Sequence, residues 1–267
     1  MIHPSLEKLL TLPDINFDPD RHIYSVGEER YTGCSTIADA WQKIFLQQWY
    51  AKECAEYAKA HYDEILLMDK KGFNTFMDRA KKEAKFKSET AKVVGTTVHD
   101  WIQKYIENCM SDGLDYPDPP EQTQAISATG AFQQWVTKQK ITWLASELLV
   151  ASHIHKIAGT LDGIAIVDGI PTIMDFKTSS RISEGYLLQT AGYDIMLSER
   201  GFDVRQYIIL RIPKDGKDAE TLTISDREEI RFLKETFLHQ REAHKYYVYV
   251  ENKLKEHGKM KVDSEEG

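Results

Sequence analysis

The sequence predicts an α/β protein, on three observations. Apolar residues recur at helical spacing over positions 37–71 and again over 121–140. At Ile141 the period changes to that of strands. The dipeptide Asp168-Gly169, of the kind that closes a tight type I′ turn, lies inside an apolar run and predicts a hairpin whose second arm carries Ile173-Met174-Asp175-Phe176-Lys177.

Taken in order, residues 17–32 read as an N-terminal hairpin turning at Gly27-Glu28-Glu29, with Ser35 or Thr36 as the N-cap of the helix that follows. Trp41, Ile44, Phe45, Trp49, Tyr50, Cys54 and Tyr57 form a stripe on that helix. Packing on the core is the leading reading of this stripe, and base stacking is the alternative. Residues 78–92 hold six basic side chains (Arg79, Lys81, Lys82, Lys85, Lys87, Lys92) against three acidic ones. One helix continuing through Gly95 would bring Lys81, Lys85, Lys92 and His99 near one face as a phosphate track. The reading preferred from the residues is a solvated lysine face, with Gly95-Thr96-Thr97 breaking the helix and capping a new one that carries His99, Trp101 and Gln103.

Residues 111–120, rich in Pro and Gly, read as a loop. Strands follow over 141–152, with Glu147, and over 153–158, where His153 and His155 share a face as ordinary edge-strand histidines. After the hairpin come the polar loop Thr178-Ser179-Ser180-Arg181 and a helix over about 183–199, on which Gln189 and Tyr193 share a face. Strands over 204–212 and 220–224 flank a turn at 213–217, and a long helix starts at Asp226. The tail, 257–267, is expected to be disordered.

Composition limits the function. At 267 residues the chain suits one large domain or two small ones, and 42% hydrophobic with 28% charged residues are ordinary globular values. It has no apolar run of about 18 residues and no basic-then-apolar start, so the expectation is a soluble cytoplasmic protein with no membrane partner. Cys34, Cys54 and Cys109 are far apart and odd in number, which suggests buried thiols. A net charge of −8 argues against a surface coated in positive potential, so any nucleic-acid contact is local.

The hairpin carries the candidate chemistry: alternation puts Asp175 and Lys177 on one face, opposite to Phe176, and the turn brings Asp162 of Gly159-Thr160-Leu161-Asp162-Gly163 beside them. Two carboxylates and an ammonium at the end of a sheet make a hard-cation site, suited to Mg²⁺ or Mn²⁺, with an acid/base group attached.

In order, Gly95-x-x-x-His99, Gly159-x-x-Asp162, Asp175-x-Lys177 and Gln189-x-x-x-Tyr193 resemble the PD-(D/E)XK nuclease superfamily. The resemblance is to its RecB-like branch, which includes the RecB and AddAB nuclease domains, Cas4, the mitochondrial genome maintenance exonuclease and phage exonucleases. Each motif is weak alone; their order makes the set specific. The resemblance implies a restriction-endonuclease-like core, a central mixed sheet of about four or five strands flanked by helices, with a helical N-terminal elaboration. It implies one nuclease domain over 1–256, with its elaboration at 1–94, its catalytic core at 95–224 and its last helix at 225–256. It implies that His99, Asp162, Asp175 and the Phe176 backbone carbonyl hold the metal, that Lys177 orients or deprotonates the attacking water, and that Gln189 and Tyr193 contact the nucleic acid. Glu147, Thr178, Ser179 and Lys92 are supporting candidates, Glu147 being balanced against a solvent-facing strand position.

Two departures stand out. Leu161 replaces the name-giving proline, which the branch often lacks, and the three scattered cysteines argue against an iron-sulfur cluster. The implied activity is a Mg²⁺- or Mn²⁺-dependent deoxyribonuclease of DNA repair or recombination, an exonuclease on single-stranded DNA or free ends. The alternatives are an endonucleolytic variant, a catalytically silent module that binds nucleic acid, and a hydrolase of another phosphate ester.

Overall fold

The computed structural model describes residues 3, 6, 15–41, 43–111 and 116–258, without the side chains of 41–46. The expectations for Trp41, Ile44 and Phe45, for the loop at 112–115 and for the tail beyond Gly258 lie outside the described residues.

The N-terminal segment is a three-stranded meander, β1 (Ile15–Asp18), β2 (Ile23–Val26) and β3 (Glu29–Gly33), where a two-stranded hairpin was expected. Helix α1 (Cys34–Ala38) follows with Gly33 as its N-cap and no side-chain cap bond, so neither Ser35 nor Thr36 plays the capping part. The expected helix over 37–71 is broken into a 3₁₀ turn (Asp39–Trp41), α2 (Lys43–Ala60) and the single turn α3 (Tyr62–Ile65).

Helix α4 (Lys70–Met110) then runs 41 residues without a break. Gly95 therefore does not end a helix, and the preference for a break there is corrected. Val94, Val98, Trp101, Ile102 and Ile106 bury one stripe of α4, and burying several large apolar side chains at about 1.5–3 kcal/mol each outweighs the ~1 kcal/mol helix penalty of one glycine. Its basic half is largely matched by carboxylates: Arg79 with Glu64, Lys81 with Asp78, Lys85 with Glu89 and Lys87 with Glu53.

After α5 (Thr123–Val136) come β4 (Ile141–Ser152), β5 (Ile157–Val167) and β6 (Ile170–Lys177). Asp168 and Gly169 join β5 to β6 with φ of 50° and 82°, the left-handed pair that a type I′ turn demands. Residues 153–156 form a turn, so His153 and His155 share no strand face; His153 Nδ1 meets the Tyr31 hydroxyl at 2.9 Å, and His155 donates its backbone N–H to Ser152 Oγ. Helix α6 (Glu184–Ser198), β7 (Gln206–Arg211), β8 (Glu220–Ile224) and α7 (Arg227–Glu256) complete the chain, with the Asp226 carboxylate capping α7.

The strands make one mixed sheet of eight, more than the four or five expected, in the order β1-β2-β3-β5-β6-β7-β8 with β4 also on β5. The added three are the meander, joined through the short parallel contact of Thr32 with Ile157 and Gly33 with Ala158. β6 and β7 run parallel; β4–β5, β5–β6 and β7–β8 run antiparallel. One core cluster joins the sheet to α1, α6 and α7 through Ile37, Leu161, Tyr193, Met196 and Phe237. A second joins it to α4 and α5 through Val98, Ile102, Phe132, Met174 and Phe176. This is an α/β fold with helices on both faces of its central sheet.

Candidate metal centre and cleft

The site forms where β4, β5 and α4 lie side by side, next to the end of β6. The β5–β6 ladder stops at Gly163 opposite Met174, and one residue further the Asp162 carboxylate takes over: Phe176 N–H donates to Asp162 Oδ2 at 2.7 Å. On β4, Glu147 falls between Ser146, which faces Gly163, and Leu148, which faces Leu161, so it stands across from Asp162. Glu147 has φ +46°, a left-handed conformation rare for a side-chain-bearing strand residue and costing on the order of 1–3 kcal/mol. The third piece is His99 on α4, whose Nδ1 lies 3.9 Å from Asp162 Oδ1.

His99, Glu147 and Asp162 each offer a ligand atom, all within 4.8 Å of one another. Ligands ~2.1 Å from an octahedral ion lie ~3.0 to ~4.2 Å apart, a span that contains the 3.9 Å His99–Asp162 separation. One imidazole and two carboxylates make a donor set for a divalent metal ion. Burial pushes the Glu147 carboxyl up to about 7, with the charges of Asp162 and Asp100 adding to the rise. A cation there would relieve the repulsion between the carboxylates.

Asp175 sits behind this trio. It is 1% exposed, its Oδ1 accepts from Lys177 Nζ at 2.7 Å, and its Oδ2 has no hydrogen-bond partner. An unmatched buried carboxylate oxygen is costly, and a bound ion is one of the few things that resolves it. Burial raises the Asp175 carboxyl above its ordinary range, Lys177 opposing and Asp162 adding. For Lys177 burial works against the charge, yet Asp175 and Asp162 override it and hold the ammonium above the ordinary lysine value. The ammonium also lies 5.0 Å over the Tyr186 ring.

Some expected residues are placed differently. Glu147, half-buried, lines the cleft together with His99 and Asp162. Tyr193 is 3% exposed, and its hydroxyl donates to the Thr160 carbonyl while accepting from Gln189 Nε2, both at 2.7 Å. The ring packs into the core beside Gly159, and the Gln189–Tyr193 pair buttresses β5 two residues from Asp162. Gly159 permits this, since a Cβ there would lie 2.8 Å from Tyr193 Cε1.

Around the centre opens a cleft of about 1570 Å³, walled by α4 (Lys92, Gly95, His99), the loop after β6 (Thr178, Ser179, Ser180) and the β7–β8 turn (Lys214, Lys217). Ser179 Oγ donates to the Arg181 carbonyl, and a Cβ on Gly95 would come to 3.0 Å from Thr178 Oγ1, so that glycine sets how closely helix and loop approach. Tyr186, Asp39, Arg211 and Lys214 also line the cleft and were not singled out from sequence. Tyr186 alone had a local signal, standing one turn before Gln189 on the same helix; the others arrive by long-range folding.

Fold and site together define an α/β protein with a candidate divalent-metal donor set backed by a carboxylate–ammonium pair. No family model and no curated protein matches the chain. Among solved structures, it is similar to an alkaline exonuclease (LHK-Exo) from Laribacter hongkongensis, at 13% identity and a TM-score of 0.29 over 46% of this chain and 69% of that one. It is also similar to a protein described as SSO0001, at 15% identity and a TM-score of 0.24 over 55% and 72% of the two chains. Among the described residues no helix is long and apolar enough to cross a membrane.

Proposed function

We propose that this protein is a metal-dependent nuclease that hydrolyses phosphodiester bonds in DNA, acting as an exonuclease on single strands or free ends. The observation that carries the reading is the convergence of His99, Glu147 and Asp162 within 4.8 Å, with the Asp175–Lys177 pair directly behind. The PD-(D/E)XK resemblance of the ordered motifs supports it and supplies the preference for ends.

His99, Glu147 and Asp162 would hold Mg²⁺ or Mn²⁺, with Asp175 Oδ2 and the Phe176 carbonyl as further oxygens. The ion would supply Lewis acidity toward a phosphoryl oxygen and make water nucleophilic near neutral pH. Lys177, fixed by Asp175 below and Tyr186 alongside, stays protonated in the resting site and so orients the water and offsets negative charge growing on the phosphate. Thr178 and Ser179 shape the wall beside it, and Lys92 stands along the approach.

The test is a time course with an end-labelled single strand, its duplex and a closed circle, in Mg²⁺, Mn²⁺ or chelator. Metal-dependent loss of the linear strand with the circle intact supports the reading. Cutting of the circle makes the enzyme an endonuclease, and binding without cleavage in every metal makes it a silent module.

A further inference from the structure

Five cations line the cleft: Lys92, Lys177, Arg211, Lys214 and Lys217. Three are matched by carboxylates, Lys177 with Asp175, Arg211 with Glu220 and Lys217 with Asp215. Among the described residues Lys92 and Lys214 have no carboxylate within ion-pair distance, and both line the cleft. Lys214, on the β7–β8 turn, reaches across the cleft to donate to the Ala91 carbonyl at 3.3 Å, on the turn of α4 that carries Lys92. Lys214 is also partly buried, and burial lowers its pKa with no charge partner opposing. Two cations on opposite walls of one cleft, neither matched by a carboxylate, leave positive charge available to an anion lying between the walls.

We propose that Lys92 and Lys214 form a second phosphate-binding site that grips the DNA backbone about three nucleotides from the scissile phosphate. The inference rests on the nuclease reading and adds to it a substrate that extends beyond the reacting bond. The spacing comes from α4: Lys92 and His99 are seven residues apart, ~10 Å along the axis at 1.5 Å per residue. Stacked nucleotides rise ~3.4 Å per strand, so ~10 Å spans about three. A small phosphate ester held at the metal centre would leave both lysines unmatched, whereas an oligonucleotide would reach them.

The experiment measures binding of fluorescent single strands of two, four and twelve nucleotides, in chelator, across a salt series. For the parent the four-nucleotide and longer strands should bind with a steeper salt dependence than the dinucleotide. Lys214→Gln should lower the slope for the twelve-nucleotide strand by ~0.7 and weaken binding about fivefold at 0.1 M salt relative to 1 M, leaving dinucleotide affinity unchanged. Lys92→Gln, an exposed change that disturbs no packing, should do the same, and Lys214→Arg should restore the slope.

Lys85→Gln, outside the cleft, should bind like the parent; an equal loss there would mean diffuse attraction and overturn the site. A parental slope in both Gln variants would overturn it as well, while leaving the nuclease reading intact. Failure of the parent to bind the twelve-nucleotide strand at all would remove the nuclease reading and this site together.

Discussion

Tyr193→Phe separates a structural role from a substrate-binding one. The phenylalanine ring keeps its place against Gly159, so packing is preserved, and only the hydroxyl between the Thr160 carbonyl and the Gln189 amide is lost. Gln189 is half-buried and can turn to water; the Thr160 carbonyl, also half-buried, loses its donor where the Tyr193 ring screens it from solvent, which costs ~1–3 kcal/mol. For a domain of this size each kcal/mol moves Tm by roughly 2–4 °C, so a loss of ~2 kcal/mol gives a fall of about 4–8 °C. Calorimetry and urea titration would read this, and fluorescence anisotropy with a single strand should give the parental affinity. A variant with parental stability and tenfold weaker strand binding would refute the reasoning and return the hydroxyl to the substrate.

Glu147→Gln should flatten the pH dependence of the metal-free protein. A folded-state pKa raised from 4.5 to about 7 means that Glu147's contribution is intact below about pH 4.5 and lost as the pH rises to 7, by at most ~3 kcal/mol at 1.36 kcal/mol per unit. Melting curves from pH 4 to 8 check this, and identical pH profiles for parent and variant would sink it. In the same assay added Mg²⁺ should raise the parent's Tm more at pH 8 than at pH 6, because ligands bind deprotonated, and should barely move the variant. Lys177→Ala should abolish cleavage and cost ~3–5 kcal/mol at neutral pH by stranding Asp175, with stability partly regained in the Lys177→Ala/Asp175→Asn pair; parental turnover would remove Lys177 from the mechanism. Gly95→Ala should leave Tm within a few degrees of the parent but lower turnover, because its methyl meets Thr178 Oγ1 at 3.0 Å; unchanged rates would show that the loop yields freely. Gly192→Ala should cost ~1–3 kcal/mol in a denaturant titration, since its Cβ would lie 2.4 Å from Cys34 Sγ and 2.7 Å from Phe237 Cζ.

What the sequence revealed was local. The Asp168-Gly169 turn, the strand period of β4 and the start of the last helix at Asp226 are each written within a few residues, and each appears in the structure. Gly95 misled because a weak local preference was overruled by the apolar stripe on either side of it. The inward turn of Tyr193 depends on a carbonyl 33 positions away, and the place of Glu147 depends on the register between β4 and β5 and on an unusual φ. Lys214 meets Ala91 across 123 positions, a distance no periodicity reports.

The unbroken α4 also has a mechanical meaning. At 1.5 Å per residue its 41 residues make a rod ~60 Å long, one half wedged in the core by Val94 to Ile106 and the other carrying the outer helices on Phe76, Ala80 and Ala84. His99 lies on the wedged half. No break in α4 therefore separates the candidate metal centre from the outer helices, and one continuous backbone sets the distance between them.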